Sequence, residues 1–184
     1  MSSPLSGRLL VATPLLGDPN FDRTVVLMLE HSEEGALGVV LNRPSEIELT
    51  GPLPDWGRLA APPSVVFVGG PVSQGAVIAL ARVESDHDGD GWSRVLPLVG
   101  VLDLNKDLDA MGIEVEEVRV FTGYAGWGPG QVEGEIEEGA WFVVDADPAD
   151  AMADDPDSLW RIVLRRQRGE LAKFALYPPD PSVN

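Results

Sequence analysis

Apolar residues come in short blocks along this chain, and the two longest neighbouring blocks lie near its start. Thr24 to Glu30 (TVVLMLE) and Ala36 to Asn42 (ALGVVLN) are apolar almost without interruption and rich in β-branched residues, the pattern of strands covered on both faces. Ser32, Glu33, Glu34 and Gly35 supply a turn between them, with Gly35 free to adopt a positive φ. Together they predict a doubly covered β-hairpin. Polar side chains remain only at its ends: Asp22, Arg23 and Thr24 face Asn42 and Arg43 at the open end, and Glu30 and His31 sit at the turn. About seven residues at ~3.3 Å each separate the two ends by roughly 20 Å, so the hairpin alone does not unite them in one site.

The remaining blocks extend the pattern. Strands are predicted at Arg8–Ala12, Val65–Val68, Ala76–Arg82, Arg94–Leu98, Val118–Thr122 and Trp141–Asp145. Ser45 is placed to cap a short helix over Glu46–Leu49, and Asp103 one over Asp103–Met111. Pro129 to Gly139 predicts a short surface helix with Val132 and Ile136 inward, and Pro156 opens the strongest helix, with Leu159, Trp160, Val163 and Leu164 inward and Gly169 as its stop. The prolines from Pro52 to Pro63 make an irregular connection, and residues 178–184 read as a loose tail. Strands outnumber helices and mostly follow one another directly. A single α+β domain over 1–184, largely antiparallel and closed into a small barrel, is expected.

Composition narrows the function. Thirty acidic residues against 13 basic ones give a net charge of −17, which opposes direct contact with nucleic acid or an anionic membrane. The absence of Cys excludes disulfides, thiol nucleophiles and thiolate-bound zinc, and fits a reducing cytoplasm. No apolar run reaches the ~20 residues of a membrane span, and the first residues lack a basic leader; a cytoplasmic protein is expected.

Each motif with chemical content has a plainer reading. Asp86 to Gly91 spaces acids like the start of a calcium loop, but position twelve is Pro97 where a bidentate Glu is required; it reads as a solvated turn. Glu30 and His31 are adjacent on a strand and point to opposite faces. The run Gly123 to Gly130 precedes a helix without a dinucleotide fingerprint, because the third glycine falls on Gln131; close backbone packing around Tyr124 and Trp127 explains it, and a shallow aromatic site is the functional rival. Arg161, Arg165 and Arg168 recur on one helix face beside Arg166, a solvated stripe or a contact for nucleic acid or an acidic protein. No metal, cofactor or nucleophile signature is present.

The ordered set Gly7-Arg8-Leu9-Leu10-Val11-Ala12-Thr13-Pro14, Asp18-Pro19-Asn20-Phe21, Glu30-His31, Gly35-Ala36-Leu37-Gly38, Asn42-Arg43-Pro44, Gly69-Gly70-Pro71-Val72 and Gly123 to Gln131 resembles the bacterial YqgE/AlgH family across nearly the whole chain, in its actinobacterial form. The resemblance implies a bifurcated, mostly antiparallel sheet that includes a small closed barrel, surrounded by helices. It brings no established activity, although some members are named as regulators of alginate transcription. Ala76 to Ala81 departs from the Gly-Phe-Val-Leu-His of many members, which weakens a family-wide His site.

Two functions are therefore weighed. The leading one is a cytoplasmic binding or regulatory module that acts through a protein or small-molecule partner, using Asp18, Phe21, Arg23, Glu30, His31, Asn42, Arg43, Tyr124, Trp127 and Gln131, the polar and glycine-rich parts that a core alone does not require. Its rival is a hydrolase using Glu30, His31 or Asp18 as acid, base or metal ligand.

Overall fold

The computed structural model describes residues 5–14, 16, 18–19, 21–49, 57–85, 91–104, 114–167 and 169–176. Its strands are β1 (Arg8–Ala12), β2 (Val25–Ser32), β3 (Gly35–Val40), β4 (Pro44–Glu48), β5 (Val65–Val68), β6 (Val72–Val83), β7 (Trp92–Leu96), β8 (Val99–Leu102), β9 (Val115–Trp127) and β10 (Trp141–Asp145). Among the described residues, the α-helices α1 (Gln131–Glu137) and α2 (Leu159–Arg165) and 3₁₀ turns at Pro148–Met152, Pro156–Ser158 and Gly169–Leu176 accompany them. None of these helices is long and apolar enough to cross a membrane.

The hairpin is present as β2 and β3, paired antiparallel with a bulge between Met28 and Glu30. Period-two alternation sends its side chains to two different cores. Val25, Leu27, Val39 and Leu41 enter one cluster with Leu9, Phe67, Phe121 and Trp160. Val26, Met28 and Val40 enter another with Leu10, Trp127 and Trp141. Gly35 takes φ 138°, and a Cβ there would stand 2.3 Å from the Trp127 carbonyl oxygen, so the turn also depends on its closeness to the end of β9.

The strands form one ten-stranded sheet in the order β10-β1-β2-β3-β9-β6-β8-β7, with β4 and β5 on a side branch. The branch arises at β9. At Phe121 this strand pairs with Ile78 of β6 antiparallel and with Phe67 of β5 in parallel, and from Ala125 to Trp127 it pairs with β3. The sheet is bifurcated and mostly antiparallel, as expected. Closure is another matter: the path runs from β10 to β7, and no ladder joins those two ends among the described residues.

Several local expectations need correction. Pro44–Glu48 is a strand, not a lead into a helix over Glu46–Leu49. The Ser45 hydroxyl donates to the Val66 carbonyl and accepts from the Ile47 amide, so it ties β4 to β5 instead of capping a helix. Arg94–Leu98 is shifted: β7 ends at Leu96, Leu98 has φ 64° in a turn, and β8 follows where no strand was expected. Gly123 to Trp127 lies inside β9 rather than in a loop. There Gly69-Gly70 crosses Gly123-Tyr124 so closely that a Cβ on Gly123 would stand 2.4 Å from the Gly70 carbonyl oxygen. The expected helix over Asp103–Met111, the acidic loop Asp86–Asp90 and the tail 178–184 lie largely or wholly outside the described residues.

Candidate functional site

The open end of the hairpin is an internally bonded frame. The Asn42 side chain accepts from the Val25 amide at 3.0 Å and donates to the Arg23 carbonyl at 2.9 Å. Arg43 donates to the carbonyls of Pro19 and Asp22 at 3.2 Å each. Burial holds the Arg43 guanidinium below the ordinary arginine range, partly offset by Asp22 and Asp18. Arg23 has φ 56° and its guanidinium lies 4.0 Å from the centroid of the Trp160 ring. Its pKa is lowered, first by burial and then by the like charge of Arg161.

At the turn end, the His31 side chain is only 5% exposed and 3.4 Å from Glu133. Its Nδ1 accepts the Leu5 amide at 2.9 Å, which leaves the proton of the neutral ring on Nε2, facing that carboxylate. Glu30 is exposed on the neighbouring position. Glu30, His31, Glu34 and Trp127 border an open hollow that neither Asp18 nor Asn42 lines. The structure therefore does not bring Asp18 together with Glu30 and His31, nor His31 together with Asn42.

Phe21 does meet Trp127, and Trp127 and Gln131 share the Glu135 carboxylate. Phe21 stacks on Trp127 at 6.4 Å between ring centroids and meets Trp141 edge-on at 5.6 Å. The Glu135 carboxylate accepts from the indole N–H groups of Trp127 and Trp141 through one oxygen and from the Gln131 amide through the other. Gln131 in turn accepts the Gly128 amide. Glu135 is thereby the hub of an aromatic brace. Tyr124 is half-buried against the main core.

The arginine stripe does not present a uniform cationic face. Arg161 donates to the Ala175 carbonyl at 2.6 Å, and Arg165 is exposed. Arg166 forms a two-pronged pair with the buried carboxylate of Asp150, which raises its pKa above the usual arginine value. Arg168 lies outside the described residues.

Two features escaped the sequence reading. Arg119 on β9 is 1% exposed. It donates to the carbonyls of Pro62 and Ala153 at 2.6 and 2.8 Å and reaches that of Ala61 at 3.3 Å, with Phe67 beneath it at 4.4 Å. Burial lowers its pKa to about 10. The available signal was a lone charge inside the apolar run Val118 to Phe121.

The second is a groove of about 840 Å³ bordered by described residues. Its walls come from six strands and include Ile47, Val66, Val77, Trp92, Val101 and Val120. Val66, Ala79, Trp92 and Val120 also belong to a separate hydrophobic cluster, so this cluster has an open side. Ile47 and Val77 are 59% and 51% exposed. Trp92 is 7% exposed, and its buried Nε1–H has no acceptor. The lining is apolar with a few polar groups, the composition of a small-molecule site.

With this geometry in place, the relatives can be compared. A family model described as AlgH-like matches residues 9–172. The chain belongs to the AlgH-like family. It is 53% identical over 186 residues to a UPF0301 protein of Streptomyces coelicolor, covering 99% of this chain and 96% of that one. A UPF0301 protein of Thermobifida fusca is 44% identical over 189 residues, with coverage of 98% and 96%. Among solved structures, a crystal structure of a Corynebacterium diphtheriae protein superposes with TM-score 0.88 at 32% identity, covering 96% of this chain and 94% of that one. The solution structure of the AlgH protein from Pseudomonas aeruginosa gives TM-score 0.65 at 30% identity, with coverage of 92% and 98%. The actinobacterial resemblance drawn from the motifs is thereby established, and these names assign no reaction.

Proposed function

We propose that this chain is a binding module whose site is the apolar groove walled by β4 to β9, and that it regulates through occupancy of that groove instead of through covalent chemistry. The observation that carries the reading is a second hydrophobic cluster with one side open, rimmed by the exposed side chains of Ile47 and Val77. Contiguous exposed apolar surface of this kind marks a place where something binds.

The polar residues first considered for a site support this division of labour. Asn42, Arg43, Gln131 and Trp127 are engaged in holding loops and rings in place. His31 already accepts a backbone amide through the nitrogen that a general base would use. In this reading the Asp18–Arg23 segment and the Tyr124–Gln131 segment frame the module, and a partner that senses the occupied state meets it elsewhere on the surface.

The test uses N-phenyl-1-naphthylamine, a neutral dye that fluoresces in apolar sites. The full chain is expected to bind it saturably, and Val77→Asp, at an exposed position, is expected to reduce binding at least about tenfold by placing a charge in the apolar site. Unchanged far-UV circular dichroism of the variant keeps the comparison clean. Equal binding by both proteins would refute the groove as the site.

A further inference from the structure

We infer that His31 is a proton-operated latch: as a neutral ring it ties Leu5 to β2, and as an imidazolium it releases Leu5 and holds Glu133 of α1 instead. The device lies at the turn end of the hairpin and is independent of what the groove binds.

The geometry gives the ring two partners with opposite demands. The His31 side chain is only 5% exposed, so its nitrogens depend on protein neighbours. Nδ1 accepts the Leu5 amide at 2.9 Å. A ring nitrogen that accepts carries no proton, so this bond belongs to the neutral ring alone. Nε2 then bears the proton and makes no hydrogen bond, with a Glu133 carboxylate oxygen 3.4 Å away. A second proton, on Nδ1, sets one N–H against another, and the tie to Leu5 is lost. The same proton turns the ring into a cation beside a carboxylate, and the ion pair offsets the lost bond. The Glu133 side chain is 41% exposed, so solvent leaves it room to close on Nε2.

The other charged groups around the ring act in the same direction. Glu30 on β2 and Glu34 in the turn border the hollow that His31 lines, and the described residues lining it include no cation. Both acids favour the imidazolium. Ala36, opposite His31 on β3, and Trp127 on β9 bring no charge. Arg8, the first cation after Leu5, is paired with Asp145 at 3.2 Å.

What the latch controls follows from the remaining ties of the lead into β1. The Gly7 amide donates to the Met28 carbonyl at 2.8 Å, so the chain from Gly7 onward stays fixed to β2 when His31 lets go. Leu5 packs against the cluster that holds Met28, Trp127 and Val132. Histidine is the side chain that changes charge between pH 5 and 8. The tie is therefore present at the upper end of that window and lost as the pH falls, which frees Leu5 and uncovers the apolar surface beneath it while the sheet keeps its ladders.

The test is NMR of the full chain between pH 7.5 and pH 5. The chain has two histidines, and the ring signals missing from His31→Phe identify this one. They are expected to report a bare Nδ1 at pH 7.5 and two protonated nitrogens at pH 5. With the same midpoint, the Leu5 amide is expected to lose hydrogen-exchange protection by about fivefold or more, the worth of one hydrogen bond, after correction for the intrinsic pH dependence of exchange. The Gly7 amide is expected to keep its protection. Glu133→Gln, a mild change at a part-exposed position, removes the waiting charge and is expected to move the loss at Leu5 to lower pH. A ring that stays neutral at pH 5, or one that titrates while Leu5 remains protected, would overturn the latch. Equal loss at Leu5 and Gly7 would reveal general acid unfolding and overturn it as well. An unchanged midpoint in Glu133→Gln would overturn the exchange of partners.

Discussion

Trp92 lies against Gly100 across the β7–β8 ladder at a distance that admits no side chain on Gly100. A Cβ there would stand 2.9 Å from the indole Cζ2 and 2.5 Å from the Ser93 carbonyl oxygen. The second contact is with backbone, which has little freedom to move. Gly100→Ala is therefore expected to destabilise the fold by about 1–3 kcal/mol through overpacking and to displace the indole from the groove wall. Urea unfolding followed by tryptophan fluorescence measures the first effect, and the Trp92 indole resonance the second. An unchanged midpoint would contradict the close packing described.

Arg119 holds the connection before β5 and the turn after β10 through carbonyls of both. Replacing it with Met leaves those acceptors without their donor while filling similar space, and a loss of about 3 kcal/mol is expected in chemical denaturation. The pH dependence of this loss has a definite form. Burial places the folded pKa near 10, below the ordinary arginine range, so above about pH 10 the unfolded chain binds the proton more tightly and this group's contribution to stability rises with pH. Between pH 6 and 8 both states keep the proton. Wild type and Arg119→Met should then give parallel stability curves over that range, and diverging curves would show that other ionisations have been disturbed.

Glu135 joins Trp127, Trp141 and Gln131 through one carboxylate. Glu135→Ala orphans two indole donors and is expected to lower stability by about 2 kcal/mol, with a change in the emission of the two tryptophans. Glu135→Gln keeps one oxygen for both indoles and should lose less than half as much. A Gln variant as unstable as the Ala variant would show that the charge, rather than the shared acceptor, holds the brace.

Burial of the hairpin on both faces was legible in the sequence because it leaves apolar runs almost without interruption, and Val25 to Leu29 and Ala36 to Leu41 carry them. Ser45 shows where such reasoning fails. A serine after Asn42-Arg43-Pro44 has the makings of a helix cap, yet its hydroxyl finds the Val66 carbonyl, a partner that only tertiary pairing supplies. The groove was hidden for the same reason. Ile47, Val77, Trp92, Val101 and Val120 come from five different strands, and each reads singly as an ordinary core residue. The glycines at 69, 70 and 123 signalled close approach, but which backbones meet depends on the crossing of two distant segments.

His31 serves as an anchor for the first described residues. Its Nδ1 accepts the Leu5 amide, so His31→Phe, which keeps the ring volume without the acceptor, is expected to speed hydrogen exchange at Leu5 by about fivefold or more, the equivalent of one lost hydrogen bond. Unchanged exchange at that amide would contradict this assignment.

The most direct measurement of the central claim is a ¹⁵N–¹H titration of the whole chain with 2-acetylnaphthalene. The groove reading predicts shifts concentrated at Val77, Ile78, Trp92, Val101 and Val120, with Asn42 and Gln131 still. Shifts centred on Asn42, Arg43 and Gln131, or no saturable shift anywhere, would contradict it.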